Sequence, residues 1–529
     1  MGDRTFDIVI VGGGSAGCVV AETLSRCGRF NVCLIEAGPP DRDPRIKIPF
    51  GLIGLMKHRT FDWRFESRAH AHLSNRVVPV PRGRTLGGSG SINSMVYIRG
   101  RPNDYDRWAE LGATGWGWKE CLAWFRRQEN NARLRDDPLH GVDGPLHVQD
   151  LPSPHPLLEI WQRAGEAGGI ARSCDFNGQS QEGLGVYQTT MRNGRRWSAA
   201  DAFLRPATKR PNLTVLTGID IRRIEFDGRR AVAVHGRRSE RIGIRQHLVL
   251  STGAIASPAL LMASGVGPGD HLQSLGIDVV HDSPSVGRNL HDHPAVAVFH
   301  GGGRHGYGLS LSALPSLIAA PFQYAWRRRG LLASNTVEGG GFARSDATLA
   351  EPDVQFHLIP ARLGHKGRMI VTGRGYYCDV CVLKPRSRGR LMLKDPTGAP
   401  DIDLNLLSDP HDRATLLQGL KTLRALRASP AFDPVRSKEL APGPDAVSDE
   451  ALTDYIHARL GTAYHPVGTC RMGSDPEAVV APDLSVNGLA NVRVIDASVM
   501  PEIVAGNTNA PTMMLAGKGA QGMLASIDV

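Results

Sequence analysis

The stretch FDIVIVGGGSAGCVVAETLSRCGRFNVCLIEAG, residues 6–38, decides how this 529-residue chain opens. Residues 6–11 are near-continuously apolar, as a parallel strand buried on both faces must be. Glycines follow, then a helical pattern through Val19, Val20 and Leu24, then a second strand over 32–35. The whole reads as a βαβ unit. Gly12, Gly14 and Gly17 form G-x-G-x-x-G at the strand-to-helix turn. The first glycine permits the tight turn and the second lets the backbone approach a pyrophosphate. The third lets the helix pack close to the strand, its positive end toward the phosphates, which also places Ser15 and Ala16 there. Glu36 ends the second strand, followed by Ala37, where an acidic side chain accepts hydrogen bonds from ribose hydroxyls. This predicts dinucleotide binding without separating NAD from FAD.

Working outward, the length predicts two or more domains. Charged residues make up 22% and the formal charge is +10, mostly through Arg. The arginines are scattered, without blocks or aromatic interleaving, so nucleic-acid binding is not expected. Eight dispersed cysteines argue against a disulfide framework and for a reducing compartment. Cys378 and Cys381 form a C-x-x-C inside GYYCDVCVLKP (375–385), a strand-like run in which positions three apart face opposite ways. The first residues carry no signal-peptide pattern, so a soluble cytoplasmic protein is expected. One uncharged run, 309–326, carries Pro315 and Pro321 and precedes an Arg-Arg-Arg-Gly sequence. It reads as helix and loop covering a pocket rather than a membrane span, with peripheral membrane contact the weaker reading.

Residues 212–236 alternate apolar and polar and predict hairpin strands, and 247–268 read as strand, turn and helix. The chain closes with a strand at NVRVIDAS (491–498), a loop and a final helix from Thr512. Nucleotide-type signals at both ends and in the middle predict a discontinuous domain with a second inserted in pieces.

GRTLGGSGSINSMVYIRGRPNDYD (83–106) resembles the first signature of the glucose–methanol–choline (GMC) flavin oxidoreductases, and GAIASPALLMASGVG (253–267) resembles the second. DFNGQSQEGLGVYQTT (175–190), GLLASNTVEGGGF (330–342) and LKPRSRGRL (383–391) are similar to a bacterial choline dehydrogenase and sorbose dehydrogenase-like branch. The resemblance covers essentially the whole chain. It implies an α/β fold with an α+β second domain. A discontinuous Rossmann-like FAD-binding domain (1–150, 197–295 and 462–529) would join a substrate-binding domain (151–196 and 296–461) built on an antiparallel sheet flanked by helices. It places Gly88, Gly90, Asn93 and the Met95–Val96 backbone beside FAD, with Ile221 at the adenine half. Thr252, Gly253 and Ser257 would contact it from the second signature, and Asp496, Ala497 and Thr508 would close over it. Some relatives link FAD through a His that is Ile92 here, so non-covalent FAD is implied.

YHPVGTCRMG (464–473) brings His465, Cys470 and Met472 together, the residue types of a mononuclear copper site. One His is too few for that set, and no metal is expected, nor at the HDH of residues 291–293. The family pattern makes His465 the residue facing the flavin and Asn507, in GNTNAPT (506–512), its partner. Neutral imidazole suits removal of a hydroxyl proton, and an amide N–H stabilises developing alkoxide charge. Glu338 and Tyr464 are the expected substrate-pocket residues. The implied reaction is FAD-dependent oxidation of an alcohol to an aldehyde or ketone, the alternative a hydroxynitrile lyase-type reaction on the same fold. No motif selects oxygen, a quinone or a cytochrome as electron acceptor.

Overall fold

The computed structural model describes residues 4–302, 305–362 and 372–527, so the outermost residues of the expected FAD-binding domain and two stretches of the expected substrate-binding domain lie outside it. The opening unit forms as its pattern requires. Strand β1 (Arg4–Val11) ends in four fully buried residues, helix α1 spans Ser15–Ser25, and strand β2 (Val32–Glu36) is buried throughout. Gly12 takes φ +101°, which closes the turn between β1 and α1. A Cβ on Gly17 would lie 1.8 Å from the Gly12 carbonyl oxygen, so the third glycine sets how closely α1 packs on the turn.

Around this unit, strands β3 (Leu213–Thr217), β4 (Ile221–Asp227), β5 (Arg230–Gly236), β6 (Arg241–Leu250) and β7 (Val492–Val494) complete a seven-stranded sheet. Its parallel core runs β3-β2-β1-β6-β7. The antiparallel β4–β5 hairpin joins the first residues of β6, and β7 pairs with its last three. Helix α2 (Gly253–Ala263) follows β6 directly. The final helix, Asn509–Ile527, packs against α1. The sheet is thus assembled from the beginning, middle and end of the chain.

A second, eight-stranded sheet is antiparallel throughout, its main path running 438–441, 294–301, 373–382, 354–359, 339–343 and 183–186. Helix Pro410–Ala428 lies across it, and Gly419 comes so close that a Cβ would meet Val380 at 2.9 Å. Cys378 and Cys381 fall on one strand of this sheet, both buried and free. The run 309–326 forms a short loop and turn followed by a helix over Leu314–Arg327, as expected, but none of its residues lines the cavity between the two sheets and the helix has a largely exposed face. Among the described residues, no helix is long and apolar enough to cross a membrane.

Substituting Gly17→Ala forces a methyl into a backbone carbonyl. Thermal unfolding is expected to show a loss of about 1–3 kcal/mol, the usual cost of overpacking, together with reduced flavin content in the purified protein.

Candidate active site

A cavity of about 840 Å³ runs between the two sheets, from Ile221 and Arg222 at one end to His465 and Asn507 at the other. The glycine loop forms its floor. Gly13 N–H and Gly38 N–H each donate to one oxygen of the Glu36 carboxylate at 2.8 Å. Burial pushes Glu36 up to about 7, and these two donors oppose the shift. Glu36 therefore holds the turn in shape as well as facing the cavity. Gly88, at φ +53°, brings the second glycine loop against the first; a Cβ there would meet Gly14 Cα at 2.7 Å. The first turn of α1 carries no acidic residue, so its amide end is free to receive an anion.

Asp496 closes the same end. Its carboxylate accepts from Gly253 N–H at 2.8 Å and Ser257 Oγ at 2.6 Å on one oxygen. The other oxygen accepts from Ser498 N–H and Ser498 Oγ. Thus the carboxylate at the end of β7 fixes the start of α2. Gly12, Gly14, Ser15, Ala16, Ala37, Asn93, Met95, Val96, Thr252, Ala497 and Thr508 also line the cavity. Close backbone approach without side chains at Gly12, Gly14 and Gly88 fits a pyrophosphate, so the residues present fit an FAD molecule laid along this cavity.

At the far end, Asn507 Nδ2 lies 3.1 Å from His465 Nε2. His465 Nδ1 lies 3.0 Å from His293 Nδ1, and His293 Nε2 lies 3.1 Å from the Val504 carbonyl oxygen. The carbonyl can only accept, so His293 carries its proton on Nε2 and offers a lone pair at Nδ1. His465 must then carry its proton on Nδ1, which leaves Nε2 as the basic nitrogen. A second chain fixes Asn507. The Tyr187 hydroxyl donates to the Phe356 carbonyl at 2.6 Å, so its oxygen accepts from Gln355 Nε2. Gln355 Nε2 also donates to Asn507 Oδ1 at 3.2 Å, which turns the Asn507 amide N–H toward His465. Burial pushes His465 well below the ordinary imidazole value, with smaller contributions from His293, His357 and Arg82. His293 is pushed down to about 3 by the same cause, so both rings are neutral at pH 7.

The HDH of residues 291–293 is a clamp. His291 Nε2 accepts from Ile503 N–H at 2.9 Å, while Asp292 accepts from the backbone N–H of His465 at 2.8 Å. On the other side, Ala505 N–H donates to Asp104 and Ala505 O accepts from Gln181. The His465 segment and the loop carrying Asn507 are therefore pinned to a common support. Tyr464 lines the cavity at φ +66° and Met95 at φ +59°, conformations that ordinary residues hold only when the surroundings impose them.

Four expected contact residues do not line the cavity. Gly17 and Gly90 sit behind it, the latter with its carbonyl bonded to Arg196. Ser257 is spent on Asp496 and Thr252. Glu338 is fully buried, its carboxylate taken by the Ser334 hydroxyl at 2.6 Å and the His155 N–H at 2.7 Å. The loop before its strand turns it inward, so it is a buried hydrogen-bond acceptor and not a pocket wall. Cys470 and Met472 are fully buried, and burial pushes the Cys470 thiol up, away from the thiolate a metal requires. Residue-level reading of the sequence did not find His293 or Gln355 as supports of the pair. His357, paired with Asp379 at 2.6 Å, is a further wall residue it did not find.

Two family models match, both described as GMC oxidoreductase, over residues 6–295 and 385–516. The chain is 43% identical to an alcohol dehydrogenase [acceptor] of Pseudomonas putida over 99% of its own length and 96% of the relative's. It is 38% identical to an oxygen-dependent choline dehydrogenase of Brucella ovis, over 98% and 95%. Among solved structures, pyridoxine 4-oxidase from Mesorbium loti superimposes with a TM-score of 0.88 at 32% identity, covering 98% of this chain and 99% of that one. The glycine cradle, the clamped histidine and these matches agree: the chain belongs to the GMC oxidoreductase family.

Proposed function

We propose that this GMC oxidoreductase binds FAD non-covalently and oxidises an alcohol to the aldehyde or ketone. The observation that carries the reading is the 3.1 Å pair of His465 Nε2 and Asn507 Nδ2 on the cavity wall, with the basic nitrogen of the imidazole fixed by its neighbours. FAD, when bound, supplies the acceptor for the two electrons and the hydrogen leaving the substrate carbon. The substrate hydroxyl faces the pair from the cavity and replaces their direct contact: its proton goes to His465 Nε2, and its oxygen accepts from the Asn507 amide. An imidazole that is neutral at working pH is a competent base for this step. An amide donor stabilises the developing negative oxygen without giving up a proton of its own. Tyr464 and His357 form the neighbouring wall. Ile92 at the linking position supports free rather than attached FAD.

The relatives named above are oxidoreductases, and the lyase reading finds no support among them. One is a dehydrogenase specified only by "acceptor" and another is oxygen-dependent, so an alcohol substrate is the common ground and the acceptor is to be found by assay. Dispersed free cysteines support a cytoplasmic setting.

The deciding experiment is anaerobic mixing of purified yellow protein with a panel of primary alcohols and polyols. Bleaching of the flavin bands by at least one of them is expected; persistent colour across the panel overturns the redox reading. Bleaching by the best alcohol should slow by about 10²–10⁴-fold in His465→Ala, the range of a lost general base. Because His465 is shifted downward, kcat/KM should stay level through neutral pH and fall only below about 6.5, the unperturbed imidazole value. An acid limb centred above that value contradicts the neutral, buried base. Acid precipitation should leave all of the flavin in the supernatant, whereas colour retained in the pellet indicates a covalent link.

A further inference from the structure

Helix α3 (Leu314–Arg327) carries the largest concentration of exposed apolar side chains on the described surface. Leu314, Ile318, Phe322 and Trp326 recur every four residues, so they form one stripe along three helical turns. They are 51%, 61%, 73% and 91% exposed, and Leu311 just before the helix is 91% exposed. The opposite face, with Ala320 and Tyr324, is buried against the protein. Soluble surfaces rarely display such a contiguous patch without a partner.

The charge around the stripe identifies the partner. Arg327, Arg328 and Arg329 follow the last apolar residue, and the hairpin 191–196 abuts Arg328, adding the exposed Arg192 and Arg195. No Asp or Glu occurs between Asp292 and Glu338. A second copy docked on this face would bring no acidic residue from the segment to meet those arginines. A bilayer containing anionic phospholipid offers both an apolar layer for the stripe and phosphate groups for the guanidinium cluster. The helix, at 14 residues, is too short to span, so it can only lie in the interface.

We propose that α3 is an in-plane membrane anchor, docking the chain on an anionic phospholipid surface through Leu311, Leu314, Ile318, Phe322 and Trp326, with Arg327–Arg329 at the headgroups. Both flanks of the helix join the cavity wall. Tyr307 exchanges backbone hydrogen bonds with Pro360 and Arg362 on either side of the wall residue Ala361, and Thr336 and Val337 line the cavity beyond the other end. Docking therefore presents the second-sheet end of the cavity, not the nucleotide end, to the lipid.

The test is co-sedimentation of the full-length flavin-loaded protein with phosphatidylcholine vesicles, with and without phosphatidylglycerol. Pelleting with phosphatidylglycerol vesicles at low salt is expected, falling at least tenfold in pure phosphatidylcholine and at high salt. The triple substitution I318S/F322S/W326S should abolish pelleting, and R327Q/R328Q/R329Q should remove the phosphatidylglycerol preference. Because these residues lie outside the cavity, unchanged flavin content and alcohol-dependent dye reduction in both variants report intact folding. No pelleting of the wild type, or undiminished pelleting of the triple variant, overturns the proposal. A wild-type dimer in light scattering that the triple variant dissociates also overturns it, in favour of a second copy as occupant.

Discussion

A backbone carbonyl has no proton to give, and the far end of the cavity is organised by two of them. Val504 O forces the tautomer of His293, which in turn forces that of His465. Phe356 O forces the orientation of the Tyr187 hydroxyl, then of the Gln355 amide, then of Asn507. The two chains meet at the 3.1 Å contact between His465 and Asn507. In a polar, hydrated site each ring and amide could turn over at the cost of about one hydrogen bond. Here the groups are buried, and a reversed ring or amide leaves a polar atom unpaired at a cost of about 1–3 kcal/mol. Burial thus does two things at once: it keeps the imidazoles neutral, and it makes a single arrangement of their protons the stable one.

The support for this arrangement comes from a short segment that in sequence resembles a metal site. His291 and His293 both reach the loop at Ile503 and Val504, and Asp292 reaches the backbone of His465. Asp292 is pushed up to about 6 by burial, the price of placing an acid where it can hold the His465 backbone. Asp104, Lys384 and Gln181 grip the 503–505 loop from the other side. Catalytic precision in the proposed reaction rests on these backbone contacts as much as on the side chains that face the cavity.

How much of this was legible depended on the range of the interaction. The β1–α1–β2 unit, its three glycines and Glu36 are local, and their pattern follows from strand burial and helix packing within 33 residues. The first sheet followed from strand patterning and the order of the signals, whereas the antiparallel second sheet was legible only through the resemblance to the GMC family. His465 and Asn507 were accessible through resemblance to the GMC signatures, because the motifs name the positions. Their supports were not: Gln355 and His293 lie 152 and 172 residues from their partners, the first in a run without a distinguishing motif and the second in one that looks metal-like. Glu338 and Ser257 illustrate the converse. A motif places a residue near a site, but the rotation of its strand or helix decides whether the side chain faces the cavity or the supporting layer behind it.

The order in which the cavity is built along the chain has a consequence for truncated forms. Its floor comes from residues 12–37, its middle from 88–96 and 219–263, and its closure from 496–512. Strand β7 must pair with β6 before Asp496 can gather Gly253 and Ser257, and Ser15 bonds Asn509 in the last helix. A chain truncated before residue 496 keeps the phosphate loop but lacks both this closure and Asn507. In the proposed reading, flavin capture therefore waits on residues 496–512. Such a chain is left with an open sheet edge along the last three residues of β6 and without the carboxylate that fixes the start of α2.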